Sequence, residues 1–180
     1  MKFLGGIVTA TVGNIAAQET EAIVNAANAT LLGGGGVDGA IHSAAGPDIV
    51  KQCKEIRETL YPKGLPVGRA VLTSGGNLKA KYIIHTVGPI FGRNQAEEAN
   101  LLASAYHNSL TLAVEAGIKT IAFPSISTGA YRFPPELAAG IASMTIEAFL
   151  TQPTSLTEVR LVFFGPGDLR VFKNTHKFSR

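Results

Sequence analysis

Short, uninterrupted apolar runs recur along this chain between stretches of helical rhythm, and that alternation limits the folds open to it. Ile7–Val12 reads as a first strand, and Ala22–Ala26 (AIVNA) as a short one that is apolar on both faces and therefore buried. Ala70–Thr73 and Tyr82–Val87 follow, separated by the turn SGGN, then Thr120–Phe123 and Val159–Phe164. Between the strands, VDGAIHSAAG has a helical rhythm that stops at Gly46-Pro47, and DIVKQCKEIRETL resumes it. Glu97–Gly117 is a long helix with Leu101, Leu102, Ala105, Leu110, Ala113 and Val114 toward the core and Gly117 at its C-terminal stop. Pro135–Leu150 is another helix, and a short one starts near Asp168. Strands that hide both faces need helices on both sides of the sheet, so the expected class is α/β, a sandwich around a mixed, mainly parallel sheet.

The 180 residues predict one domain spanning 1–180 with a substantial core. Apolar residues make up 46% and charged residues 16%, which argues against disorder. A net charge of +3 is too small and too scattered to predict sequence-specific nucleic-acid binding. The densest basic group, Lys51, Lys54 and Arg57, lies at helical spacing beside Glu55 and Glu58 and reads as a solvated helix face. The single cysteine, Cys53, excludes an intrachain disulfide and reads as a small core residue. Glycines interrupt the N-terminal apolar stretch, so it reads as a strand rather than a secretory signal, and no apolar run approaches bilayer length. A cytoplasmic monomer with no membrane association is expected. No His/Asp/Glu set shows metal-ligand spacing, so neither a metal nor a cofactor is expected.

In open α/β sheets, ligands bind beyond the carboxyl ends of strands, where loops enter helices. Two loops fit that position. In the first, Gly33 to Gly36 (GGGG) follow the strand AIVNA and lead into a helix at about Val37, so backbone N–H groups and the helix N-terminus can converge on an anion. In the second, SISTGAYRFPPE follows IAFP and offers hydroxyls, Gly129 and further N–H groups. Two facing loops of this kind suit a diphosphate. Neither matches a P-loop or G-x-G-x-x-G, which counts against an ATPase and a dehydrogenase. Asn25, Asn28 and Asp38 add amide and carboxylate groups to the same region, and Asp38 and His42 share a helix face at i,i+4. As simpler readings, Asp38 complements a helix dipole, Asn28 forms a turn, and His42 and His85 are packed in the core.

VNAAN (24–28), LLGGGGVDGAIH (31–42), YIIHTVGP (82–89) and AFPSISTGAY (122–131) together closely resemble the macrodomain family, in particular its MacroD-like branch. The similarity runs from about Gly13 to Phe164 with the motifs in order. It implies a three-layer α/β/α fold and a cleft for ADP-ribose. By this resemblance Gly34, Gly35, Gly36 and Val37 line the diphosphate and distal ribose from one side. Ser127, Thr128, Gly129, Ala130 and Tyr131 cover them from the other, Asn25 belongs to the binding set, Asn14 and Ile15 meet the adenine edge, and Phe164 stacks on its face. Asn28 holds a distal-ribose hydroxyl, Asp38 orients or deprotonates a water, and His42 positions Asp38; either Asp38 or a substrate phosphate activates that water.

The implied activity is metal-independent hydrolysis of ADP-ribose esters, with O-acetyl-ADP-ribose and ADP-ribosylated acidic side chains as substrates. ADP-ribosylated proteins or nucleic acids are the implied partners. The alternatives are a module that binds ADP-ribose without turning it over, or a phosphatase of ADP-ribose 1''-phosphate. Three positions depart from the family pattern. Asn14 stands where an acid usually accepts from adenine, Arg132 where glycine usually follows the loop tyrosine, and Ser43 where arginine often follows the helix histidine.

Overall fold

The computed structural model describes residues 1–93 and 95–179. The apolar runs form the strands of one seven-stranded sheet: β1 (Lys2–Phe3), β2 (Val8–Val12), β3 (Ala22–Ala27), β4 (Ala70–Ser74), β5 (Tyr82–Val87), β6 (Thr120–Phe123) and β7 (Glu158–Phe163). Its order is β1-β2-β7-β6-β3-β5-β4. The five inner strands run parallel, while β1 and β4 close the edges antiparallel, so the sheet is mixed and mainly parallel.

Helices α1 (Gly36–Ala45) and α2 (Asp48–Thr59) cover one face, and α3 (Glu98–Glu115), α4 (Pro135–Leu150) and α5 (Pro166–Thr175) cover the other. Side chains alternate along a strand, so β3 sends Ala22 and Val24 into the core under α3 and α4. Ile23 and Ala27 go to the opposite core, under α1 and α2, with Ile41, Ile49 and Cys53. Both cores are closed, which explains why the strand sequences read as apolar throughout.

Several boundaries differ from the sequence reading. Strand β1 was not expected. The turn at Leu4–Gly6, with Gly5 and Gly6 at φ +67° and +94°, folds Lys2 and Phe3 back onto β2 and leaves Ile7 outside the strand. Helix α3 starts at Glu98 after a short 3₁₀ turn and stops at Glu115, where Gly117 at φ +72° donates its N–H to the Val114 carbonyl. Strand β7 ends at Phe163, and α5 starts at Pro166, whose fixed φ suits a first helical turn. Among the described residues no helix is long and apolar enough to cross a membrane.

Candidate functional site

Strands β3 and β6 are neighbours, but their chains leave in opposite directions, β3 toward β5 and β4, β6 toward β7. The loops beyond their carboxyl ends therefore diverge and leave an opening at a topological switch point. A cleft of about 300 Å³ occupies it. Asn28, Gly34, Gly35, Gly36, Val37 and Asp38 form one wall, and Ser127, Gly129, Ala130 and Tyr131 the other. Sequence reasoning missed Ala26, Ala27, Gly88, Ser125 and Ile126, which form the floor and the base of the second wall. Gly88 has a readable signal, since GP follows a buried strand.

The first loop is held from within. Asn28 accepts from the Thr30 N–H at 3.0 Å and donates to the Gly33 carbonyl at 3.1 Å, while Leu31, in the left-handed region at φ +60°, buries its side chain under the loop. Asn28 is thus a turn former and a cleft residue at once. Arg57 corrects the sequence reading. Instead of a solvated cation, it donates to the carbonyls of Ala29, Thr30, Tyr61 and Pro62 and ties α2 to the start of the loop. Gly39, also overlooked, has no room for a side chain, because a Cβ there would lie 2.4 Å from the Gly34 carbonyl oxygen.

The two oxygens of Asp38 have different surroundings. Oδ1 accepts from Asn25 Nδ2 at 2.7 Å and lies 3.3 Å from His42 Nε2. Oδ2 faces the glycine loop, where a Cβ on Gly34 would sit 3.3 Å from both it and Asn28 Nδ2. One carboxylate oxygen is anchored in the core, and the other faces the Gly34 backbone at the cleft wall, as the Asn28 amide does.

Asn25 is another correction. Its side chain is fully buried beneath α1 on the Ile23/Ala27 face, so it supports Asp38 rather than lining the cleft. His42 also sits behind Asp38, its ring against Gly33, and neither ring nitrogen reaches hydrogen-bond geometry. The side-chain pairing expected from i,i+4 spacing is therefore a close contact only. His85 and Cys53 are buried as the sequence suggested, yet His85 is not inert: it joins Asn25 at 3.1 Å and Thr73 at 2.8 Å.

The fold brings ligand atoms of His42, Cys53 and His85 within 4.8 Å of one another, a trio that the sequence spacing did not reveal. Both ring nitrogens of His85 already have protein partners. Burial, reinforced by the Asp38 charge, pushes the Cys53 thiol up to about 11, so it stays protonated rather than presenting a thiolate. The trio suits a hydrogen-bonded core better than a metal.

In the second loop Ser127 is held at φ +67°, a strained conformation for a residue with a side chain, and its buried hydroxyl finds no hydrogen-bond partner among the described residues. Such strain accompanies binding loops more often than plain connections. Thr128 does not line the cleft; it braces the loop by donating to Ser125 Oγ at 2.9 Å. Burial, and after it the Asp38 charge, raise the Tyr131 hydroxyl above its ordinary value, so it remains a neutral donor. Arg132 is at φ +57°, which gives a backbone reason for the glycine usual at this position.

Asn14, Ile15 and Phe164 lie beyond the cleft. Val12 and Phe163 are paired in β2 and β7, so Asn14 and Phe164 follow the ends of adjacent strands, which lie three and two strand spacings, or about 14 and 10 Å, from β3. Phe164 is 93% exposed, an aromatic face with nothing on it. Asn14 Oδ1 accepts from the Ala16 N–H at 2.9 Å, and Ile15 is buried in the α1/α2 core, so its side chain is not presented to solvent.

Comparison with known proteins agrees with this geometry. A Macro domain-containing protein of Caldanaerobacter subterraneus subsp. tengcongensis is 56% identical over 165 residues, covering 92% of this chain and 93% of the relative. The Oceanobacillus iheyensis macrodomain solved with ADP superposes with a TM-score of 0.91 at 44% identity, over 93% of this chain and 88% of that one. The Trypanosoma brucei macrodomain in complex with ADP-ribose gives 0.85 at 34% identity, over 94% and 68%. The Macro domain family model matches residues 24–142, from within β3 through both cleft loops into α4, and the chain belongs to the Macro domain family.

Proposed function

We propose that this protein binds ADP-ribose and hydrolyses esters of its distal ribose, as a metal-independent hydrolase of the MacroD-like kind. O-acetyl-ADP-ribose and mono-ADP-ribose on acidic side chains are its substrates. Macrodomains similar to this chain have been solved with ADP and with ADP-ribose, which supports the ligand. The diphosphate would lie between the glycine loop and the Ser127–Tyr131 loop, against backbone N–H groups at the start of α1. The adenine would reach toward Asn14 and stack on Phe164.

The observation that carries the catalytic reading is the division of labour within Asp38. Because Oδ1 is tied to Asn25, Oδ2 is the oxygen left to face the glycine loop at the cleft. A water held by Oδ2 would lose its proton as it adds to the ester carbonyl carbon. The bond from that carbon to the ribose oxygen then breaks, and the released oxygen takes up a proton. The remaining N–H of Asn28 is suited to holding a ribose hydroxyl, and His42 limits the motion of Asp38 from behind.

Incubation with O-acetyl-ADP-ribose and with a glutamate-ADP-ribosylated protein, alongside calorimetric titration with ADP-ribose, tests the proposal. Release of acetate or of ADP-ribose is expected. Tight binding without turnover would make the protein a reader of ADP-ribose instead of an enzyme.

A further inference from the structure

Behind Asp38 a line of buried polar groups runs from β3 across β5 to the edge strand β4 on the α1/α2 side, where the neighbours are otherwise apolar. Asn25 of β3 and His85 of β5 are register partners, and Thr73 stands on the adjoining β4. Asn25, His85 and Thr73 are at most 4% exposed. Asn25 Nδ2 has two N–H groups: one goes to Asp38 Oδ1 at 2.7 Å, the other to His85 Nδ1 at 3.1 Å. Its carbonyl oxygen has no hydrogen-bond partner among the described residues, so the amide is oriented from the nitrogen side alone.

His85 Nδ1 can accept only if it carries no proton, which puts the ring proton on Nε2. That nitrogen is 2.8 Å from Thr73 Oγ1, whose own hydroxyl donates to the Ser74 carbonyl at 3.0 Å. The donors thus run outward from the Asn25 amino group, one N–H to Asp38 Oδ1 and the other through the His85 ring and Thr73 to the Ser74 carbonyl. The groups facing the His85 ring are Asn25, Thr73, Cys53 at 3.9 Å and His42, with ring centroids 6.0 Å apart. Burial, and after it the His42 charge, hold the His85 imidazole down at about 3, so the ring stays neutral.

We propose that His85 and Thr73 are positioning residues for the reaction: Thr73 selects the His85 tautomer, His85 orients the Asn25 amide, and Asn25 holds Asp38 Oδ1 so that Oδ2 meets the water. The inference rests on Asp38 working on that water. Without the Thr73 hydroxyl the Nε2 proton loses its acceptor, and the alternative tautomer, protonated on Nδ1, faces the Asn25 amino group with a second donor. Asn25 must then turn, and Asp38 Oδ1 loses its charge-assisted bond.

Thr73→Val keeps the shape and removes the acceptor; Thr73→Ser keeps the acceptor. In the Val variant, kcat on O-acetyl-ADP-ribose should fall about 10-fold or more. ADP-ribose affinity and KM should remain near wild type, and the Ser variant should recover kcat. Nitrogen-15 NMR of the folded protein should show His85 neutral and protonated on Nε2, and protonated on Nδ1 in the Val variant. A folded Thr73→Val protein with unchanged kcat overturns the proposal, as does a wild-type His85 protonated on Nδ1. Absence of turnover in the wild type would instead defeat the hydrolase reading itself, and the positioning role with it. If the Val variant does not fold, His85→Leu, which removes the acceptor, and His85→Gln, which keeps one, give the second test: a lower kcat in the Leu variant that the Gln variant recovers supports the network, and an unchanged kcat in the Leu variant overturns it.

Discussion

Gly88 and Ser127 share one space: a Cβ built on Gly88 would lie 2.1 Å from the Ser127 hydroxyl oxygen and 2.6 Å from Ile126 Cγ2. The second cleft loop rests directly on the end of β5. Gly88→Ala should therefore push the loop outward, costing about 1–3 kcal/mol of stability as an overpacked site does. ADP-ribose affinity should fall with it. Thermal melting and calorimetry check both, and an unchanged melting temperature with unchanged affinity would contradict this packing.

Asp38→Ala removes the group proposed to act on the water while leaving the glycine loop, Asn14 and Phe164 in place. Turnover of O-acetyl-ADP-ribose should drop by roughly 10²- to 10⁴-fold, the usual contribution of a positioned general base. ADP-ribose binding should largely persist in the same titration. A loss of affinity as large as the loss of turnover would mean that Asp38 binds the ligand rather than acting on it.

Phe164 makes the opposite kind of prediction. At 93% exposure it contributes little to the core, so Phe164→Ala should leave the melting temperature almost unchanged. If adenine stacks on it, affinity should weaken by about 1–3 kcal/mol, the range for a base on an aromatic face. ADP-ribose and ribose 5-phosphate titrated in parallel separate the adenine contribution, because only the former should respond.

The buried imidazole of His85 ties stability to pH. Its folded value of about 3 lies below the ordinary 6.5, so between these limits the unfolded chain binds the proton that the folded one excludes. Stability should therefore fall as pH drops below 6.5, by up to about 1.4 kcal/mol per pH unit from this group, and should not respond to it above pH 7. Denaturant titrations at several pH values should show a shallower slope for His85→Phe than for wild type. Parallel slopes would show that His85 is protonated in the folded protein.

Apolar runs with no polar face identified the buried parallel strands, and glycine and proline marked where they stopped. The two cleft loops were legible for the same reason: each combined a strand end, groups able to bind an anion, and a helix start. Edge strand β1 escaped because two residues carry no period, and its pairing depends on positive φ at Gly5 and Gly6. The roles of Asn25, His85 and Arg57 were out of reach for another reason. Alternation shows which residues share a face of one strand, but the register that sets Asn25 beside His85 is a long-range fact. Likewise, no local pattern shows that the Arg57 guanidinium reaches the carbonyls of residues 29 and 30.

The diverging exits of β3 and β6 also bear on how this protein can change. The gap between them comes from the order in which the chain visits the sheet, so no side chain has to be carved away to make it. Substitutions at Asn28, Asp38 or Tyr131 can rewrite the chemistry at its walls without closing it. Losing the slot itself would take a different path of the backbone, an alteration that point mutations do not supply.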